Sequence, residues 1–318
     1  MDSWLSSILS LGICSGIIAL RLRFGDRGLD HPNQRSLHER PTPHGGGLGI
    51  VIAMLVIGVS LKVPPALLAL VLALASLSLL DDAKPLPSWL RLAVHLAAAG
   101  VVCWLIDLPT WLWPMAMLAV AWMTNLYNFM DGADGLAGSQ GAAGFLAYSV
   151  GLGLGGDPLL AGWCAAAALA CVGFLFFNWP PAKIFMGDVG SIPLGFLAGS
   201  LGLLGIWRGL WPLWFPLLVF APFILDASLT LARRAFSGAR VWEAHRDHYY
   251  QRMVRLGYGH RGMTLRWSGM MLAGASLAVV LLMVPPWLQW SVAAGWLALL
   301  GVMGREIDRR WRLHGTSG

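Results

Sequence analysis

Hydrophobic positions run along the chain in long blocks, and the polar positions gather between them. Blocks of about 17–25 apolar residues are long enough to cross a bilayer as helices. Read this way, the sequence predicts eleven spans, at 4–20, 46–61, 66–80, 90–106, 112–129, 138–154, 159–177, 189–206, 211–230, 264–284 and 287–303, with ten as the nearest alternative. The connections alternate in character. One set is short and proline-bearing (KVPP at 62–65, DLPT at 107–110, GGDP at 155–158, VPPW at 284–287), and the other holds nearly every charge. The expected architecture is therefore all-α and polytopic, one transmembrane domain over 1–318 with polar loops at 21–45, 81–89, 130–137, 178–188 and 231–263.

Composition agrees with the pattern. The 318 residues are 57% hydrophobic and 12% charged, about half the charge of an ordinary soluble domain. Mean hydropathy is +0.65. Of 22 Lys and Arg, 20 fall on one side if the segment after the first span is cytoplasmic, leaving Lys62 and Arg208 outside. This bias predicts an outer N-terminus and a cytoplasmic C-terminus. The net charge of +6 then marks the inner face, and no nucleic-acid partner is expected. Trp104, Trp111, Trp113, Trp207, Trp211, Trp287 and Trp290 would form an outer interfacial belt. The N-terminus lacks a basic n-region and reads as a retained first helix. Cys14, Cys103, Cys164 and Cys171 lie in apolar runs and read as packing residues.

The candidate chemistry sits on the inner face. Asp81 and Asp82 end the third span without a spacer, where adjacent carboxylates oppose both each other and the helix dipole. A solvated loop start is the bland account; a shared cation is the sharper one. Asn125, Asn128, Asp131 and Asp134 put four polar groups into ten residues at an otherwise apolar helix end, with Gly132 and Gly135 suggesting a break. Asp188, in MGDVGS, reads by itself as a helix cap with Ser191, although Lys183 stands nearby. Oxygen donors at these five aspartates suit a hard cation better than zinc. Gly45–Gly46–Gly47 matches no nucleotide-binding fingerprint and reads as a flexible entry to the second span, with Arg35, His38, Arg40 and His44 available to a phosphate or base. In the loop at 231–263, His245 and His248 bracket Arg246 and Asp247, and Arg246 with Arg252 makes a phosphate-binding group. Trp242, Tyr249, Tyr250 and Met253 would pack a short helix there. Asp226, in FILDASL, reads as either a ligand contact or a partner of Arg233. The arginine-rich tail after Gly304 reads as an anchor to anionic membrane lipid.

Together HPNQRSLHERPTPHGGGLGI, LLDDAKPLP, NLYNFMDGADGLAG and FFNWPPAKIFMGDVGS, followed by HRDHYYQR, resemble the bacterial polyprenyl-phosphate sugar-1-phosphate transferases, glycosyltransferase family 4. The last segment is more similar to the branch that initiates O-antigen chains than to the peptidoglycan branch, whose triple histidine it lacks. The resemblance implies transfer of sugar-1-phosphate from a UDP-N-acetylhexosamine to undecaprenyl phosphate with release of UMP, at the cytoplasmic face of the bacterial inner membrane. It implies Mg2+, with Mn2+ as a substitute, held by Asp188, Asp82 and Asp131. Asp81, Asp82, Asp131, Asp134, His245 and His248 would be catalytic, with Asp81 as base or lipid-phosphate orienter. Arg35, His38, Arg40, Asn125, Asn128, Lys183, Arg246 and Arg252 would contact substrate. The O-antigen-type loop suggests a 6-deoxy donor such as UDP-FucNAc or UDP-QuiNAc ahead of UDP-GlcNAc, with Tyr249 or Tyr250 receiving the C6 methyl. A homodimer is compatible with this reading. A CDP-alcohol phosphotransferase would carry a compact D-G-x-x-A-R signature that is absent from the sequence. A transporter would place its polar sites at the bilayer midplane between repeated halves, and a scaffold would leave the acidic clusters without a purpose.

Overall fold

The computed structural model describes residues 3–24, 28–30, 41–239 and 245–315. They form thirteen α-helices: α1 (Ser3–Phe24), α2 (Gly47–Leu61), α3 (Pro65–Ala83), α4 (Ser88–Leu105), α5 (Trp113–Phe129), α6 (Leu136–Leu154), α7 (Pro158–Asn178), α8 (Asp188–Trp207), α9 (Trp214–Val219), α10 (Ala221–Phe236), α11 (Tyr249–Met253), α12 (Gly259–Leu281) and α13 (Pro286–Gly315). One two-residue antiparallel pair, β1 (Leu29–Asp30) with β2 (Thr42–Pro43), closes the base of the 28–44 segment. Among the described residues seven helical stretches are long and apolar enough to cross a membrane: Leu5–Phe24, Pro65–Ala83, Ser88–Leu105, Pro158–Asn178, Asp188–Trp207, Tyr249–Leu281 and Pro286–Leu313. The protein is thus an all-α, polytopic membrane protein.

Every predicted apolar run is helical, but the ninth is broken in two. Pro222 has no N–H to give the carbonyl of Leu218, and its ring crowds the preceding turn. The helix therefore stops at Val219 and restarts at Ala221. The break leaves the Val219 carbonyl without a helical donor, and the buried Gln140 side chain donates to it at 3.1 Å. The twelfth helix starts at Gly259, five residues before the predicted span, because a π-type turn at Val254–Tyr258 joins it to α11.

Small residues set how closely the central helices approach. On α8, Gly195 and Gly199 lie against the α5 backbone, where an added Cβ would meet Thr124 Cα at 2.9 Å and Val120 Cα at 3.1 Å. This spacing of small residues is the usual device for close packing of membrane helices. It brings the end of α5 beside the start of α8. Trp211 leaves the predicted outer belt: it is 3% exposed and stacks on Tyr148 at 5.1 Å, because Gly205 opens a slot beneath its ring. Trp104, Trp111, Trp207, Trp287 and Trp290 are exposed. All four cysteines are buried and free.

Candidate active site

Four chain segments meet at one end of the bundle. The first junction joins the glycine run to the loop before α8. Backbone N–H groups of Gly46 and Gly47 donate to the carbonyls of Phe185 (2.8 Å) and Met186 (2.9 Å), and Phe185 N–H donates to Pro43 (2.8 Å). A Cβ on Gly47 would stand 2.4 Å from Gly190 Cα. The glycines are therefore a docking surface for the MGDVGS turn and not a flexible entry. Arg21 secures the same segment by donating to the His44 carbonyl at 3.2 Å.

Asp188 stands at the first position of α8, one residue later than the expected cap. The cap position belongs to Gly187, whose φ of 73° only glycine adopts without strain. Asp188 is thus not used as the cap. Ser191 does not complete a cap either. Its hydroxyl donates to Asn128 Oδ1 at 2.8 Å, and the Asn128 amide donates to Asp188. One asparagine, fixed through both ends of its amide, orients the carboxylate.

Asp131 lies in the α5–α6 turn, where the DGADG segment is non-helical. It accepts a hydrogen bond from the Gly187 N–H. Loss of hydration, followed by the charge of Asp188, pushes its carboxyl well above the usual carboxylate range against that hydrogen bond. Asp82, on the last turn of α3, lies 3.9 Å from His44 Nδ1, and its charge reaches Asp188 together with those of Asp81 and Arg91. Asp81 is held elsewhere: it accepts from Leu86 N–H at 2.6 Å and from Arg91 at 2.9 Å, which locks the α3–α4 turn. Asp134 is also engaged. It accepts from Ala182 N–H at 3.0 Å, faces His260 at 3.7 Å, and its carbonyl takes the Thr264 hydroxyl at 2.6 Å. Among the described residues no group of three or more His, Cys, Asp or Glu is gathered at metal-ligating spacing.

The histidine segment reaches this centre through Tyr250. His245 and His248 rings lie 4.9 Å apart, and His248 stacks on Tyr250 at 5.7 Å and 18°. The Tyr250 hydroxyl donates to the Phe129 carbonyl at 3.3 Å and covers Gly132, where a Cβ would meet it at 2.0 Å. Asp226 fixes the segment from behind. Its carboxylate accepts from His248 Nδ1 (3.1 Å) and from the backbone N–H groups of Tyr249 (2.9 Å) and Tyr250 (3.0 Å). Arg233, its other proposed partner, pairs with Asp308 on α13. His245 Nδ1 accepts from the Asp247 N–H at 3.3 Å, and Asp247 pairs with Arg234. Burial, then the neighbouring charges of His248 and Arg234, pulls the His245 ring down to about 4.

Several expected residues lie apart from this centre. Asn125 donates to the Ala121 carbonyl at 2.7 Å and faces His95 at 3.4 Å, between α4 and α5. Arg252 turns to α13, donating to Asp308 at 2.7 Å. Tyr249 does likewise through its hydroxyl at 3.0 Å, so Tyr250 alone of the two lies against the aspartate turn. Lys183 is exposed on the loop before α8. Arg35, His38, Arg40 and Trp242 lie outside the described residues. One contributor was not foreseen. Asn178, buried at the end of α7, accepts from Gly135 N–H and donates to the Ile184 carbonyl, both at 2.8 Å, and so ties the aspartate turn to the loop before α8. Its signal was a lone amide closing an apolar helix.

Residues 64–206, which carry α3 through α8 and hence Asp82, Asp131 and Asp188, match the family model described as glycosyl transferase family 4. Across most of the chain, a phospho-N-acetylmuramoyl-pentapeptide-transferase of Picosynechococcus is 30% identical, over 88% of this chain and 85% of its own length. The chain belongs to glycosyl transferase family 4. Within that family it is also similar to a probable undecaprenyl-phosphate N-acetylglucosaminyl 1-phosphate transferase of Bacillus subtilis (27% identical, 81% and 78% covered). A decaprenyl-phosphate N-acetylglucosaminephosphotransferase of Mycolicibacterium smegmatis is 28% identical, with 86% and 80% covered. The N-acetylmuramoyl-pentapeptide and N-acetylglucosamine kinds of family 4 relative resemble the chain to the same degree.

Proposed function

We propose that the protein transfers sugar-1-phosphate from a UDP-N-acetylhexosamine to undecaprenyl phosphate, releasing UMP and starting O-antigen or a related surface polysaccharide. The observation that carries this reading is the meeting of the aspartate turn with the start of α8, where the Gly187 N–H donates to Asp131 and Asn128, held by Ser191, donates to the adjacent Asp188. Two carboxylates in electrostatic contact form a donor set that fits a hard cation. Mg2+ is characteristically held by one or two carboxylates and completed by substrate phosphates, so a closed protein cage is not required. Asp131, Asp188 and Asp82 would hold it, with Mn2+ as a substitute. When bound, the ion neutralises phosphate charge in the transition state.

In the reaction, a phosphate oxygen of the acceptor attacks the β-phosphorus of the donor. The bridging P–O bond breaks, and its electron pair leaves with UMP. Direct attack needs no covalent aspartyl intermediate. His248, oriented by Asp226, and Arg246 would position the phosphates, with Arg35, His38, Arg40 and Lys183 extending the basic lining. Asp81 acts through the Arg91 turn, and Asp134 by holding the loop that bears Lys183. An N-terminus outside, a cytoplasmic C-terminus and eleven spans, the ninth broken, would face this centre to the cytoplasm of the bacterial inner membrane, where UDP-sugars are supplied.

The family relatives named for N-acetylglucosamine support UDP-GlcNAc as donor. The O-antigen-type histidine loop supports a 6-deoxy sugar instead, although Tyr250, at 1% exposure and packed on Gly132, offers its C6 methyl no free ring face. Incubating purified protein and undecaprenyl phosphate with UDP-GlcNAc, UDP-FucNAc or UDP-QuiNAc and measuring UMP separates them. The 6-deoxy donors should be preferred; equal or greater efficiency with UDP-GlcNAc assigns it as the donor, and no UMP from any of them overturns the reaction.

A further inference from the structure

Away from the aspartate centre, Arg233, Arg252, Arg305 and Arg312 line one cavity of about 350 Å3 together with Asp308 and Trp311. It lies between α10, α11 and the last three turns of α13. Asp308 is the one acid in its wall, and it is already used three times, by Arg233, by Arg252 at 2.7 Å and by the Tyr249 hydroxyl at 3.0 Å. Arg305 and Arg312 have no hydrogen-bond or ion-pair partner among the described residues. Glu306 does not reach them, because it is taken by Arg309 and Arg310. Trp311 is faced by Arg252 at 5.5 Å and by Arg255 at 4.6 Å. Four guanidinium groups around one shared carboxylate leave an excess of positive charge in a concave site, which calls for an anion.

The surroundings say which anion. Residues 286–304 of α13 carry no charge, and 305–312 carry four arginines, so the cavity sits where this helix passes from apolar to polar surroundings. Leu225, Leu229, Leu300 and Met303 line only a crevice of about 20 Å3 between α10, α12 and α13, with Asp226 and Tyr249 in its wall, too small for an acyl chain. Leu299, Val302 and Leu313 on α13 and Phe236 at the end of α10 are exposed. Leu299 and Val302 belong to the span predicted at 287–303 and face lipid whatever fills the cavity, so the arginines stand at headgroup depth beside that face. A phosphate attached to acyl chains satisfies both. Guanidinium groups match phosphate oxygens in pairs, and a tryptophan at such a boundary suits the headgroup level.

We propose that this cavity binds the phosphate of an anionic phospholipid, with the acyl chains along the exposed apolar face of α13 at Leu299 and Val302, as a site separate from the aspartate centre. The assignment does not depend on the reaction proposed above, and its test needs no turnover. The full-length protein, purified in mild detergent, is titrated with phosphatidylglycerol or phosphatidylcholine, and the lipid-bound fraction is read by native mass spectrometry. The wild-type protein should retain phosphatidylglycerol over phosphatidylcholine. R305A/R312A should weaken phosphatidylglycerol binding about tenfold or more, since each basic residue near a membrane surface contributes on the order of 1 kcal/mol toward anionic lipid. R305K/R312K should keep most of it. Should the alanine pair fail to give a monodisperse protein, R305Q/R312Q is read against the same expectation. Millimolar inorganic phosphate, and undecaprenyl phosphate, should leave the bound lipid in place. Equal phosphatidylglycerol binding by the wild type and the neutral variant, or no preference over phosphatidylcholine, overturns the site. Displacement by inorganic phosphate or by undecaprenyl phosphate overturns the phospholipid assignment in favour of a soluble-phosphate or acceptor site.

Discussion

His245 lies against His248 and Arg234 with its side chain 10% exposed, and its ring is held at about 4 against an ordinary 6.5. The unfolded chain therefore takes up a proton at this residue between pH 6.5 and 4 while the folded protein does not. More protons on the unfolded state mean that stability falls as pH falls through that window, by up to about 3 kcal/mol from this ring. Thermal unfolding followed from pH 7 to 4.5 should show the slope in the wild type and a shallower one in His245→Asn; equal slopes would assign the acid lability to other groups. Asn128 is the residue whose loss should be felt most directly by Asp188. Asn128→Ala removes the amide donor and leaves the Ser191 hydroxyl only its longer contact with the Gly187 carbonyl at 3.4 Å. Partners that orient a metal-binding carboxylate are worth roughly 10–100-fold in activity. Turnover should fall by that range with expression retained, and unchanged turnover would remove Asn128 from the site.

At the scale of elements, the account rests on three docked segments: the glycine run on the MGDVGS turn, the aspartate turn on Asn178, and the histidine segment on Gly132. The last contact can be tested by volume. Gly132→Ala places a methyl against the Tyr250 hydroxyl, and overpacking of this kind costs about 1–3 kcal/mol. It should depress both stability and turnover, and Tyr250→Phe in the same chain should recover much of the loss, with the double-mutant cycle as the readout. Additive effects would mean that the two residues do not touch. Much of this level was legible in the sequence. Hydrophobic blocks located the long helices, and charges at their ends singled out Asp81, Asp82, Asp131, Asp134 and Asp188, of which Asp81 and Asp134 are engaged in holding turns. Asp131 and Asp134 shared a motif, yet only Asp131 is bonded to the Gly187 N–H beside Asp188, because Asp134 is held by Ala182 and Thr264. The Asp226–His248 contact spans 22 residues, and no local period encodes such a pairing. Pro222 was visible, but within an apolar run it read as part of one span; the break became clear only with Gln140 supplying the missing donor.

For the whole molecule, the inner-face placement of all four site-forming segments is the claim with the widest reach. Single cysteines introduced at Lys84, Lys183 and Ala239, with the four native cysteines buried, should label only with reagents that reach the cytoplasm. One introduced at Arg208 should label from outside. Labelling of Ala239 from outside would separate the histidine segment from Asp188 and break the site. The reaction itself is tested most directly by UMP release from a UDP-N-acetylhexosamine in the presence of undecaprenyl phosphate, with and without a chelator, for the wild type, Asp188→Asn and Asp157→Asn. Asp157 caps α7 at 3.0 Å and pairs with Arg208 at the opposite end of the bundle, and Asn caps comparably. The account predicts chelator-sensitive UMP release by the wild type and by Asp157→Asn, and loss of most turnover in Asp188→Asn without loss of membrane insertion. Full UMP release by chelated wild-type protein, or by Asp188→Asn, would contradict it.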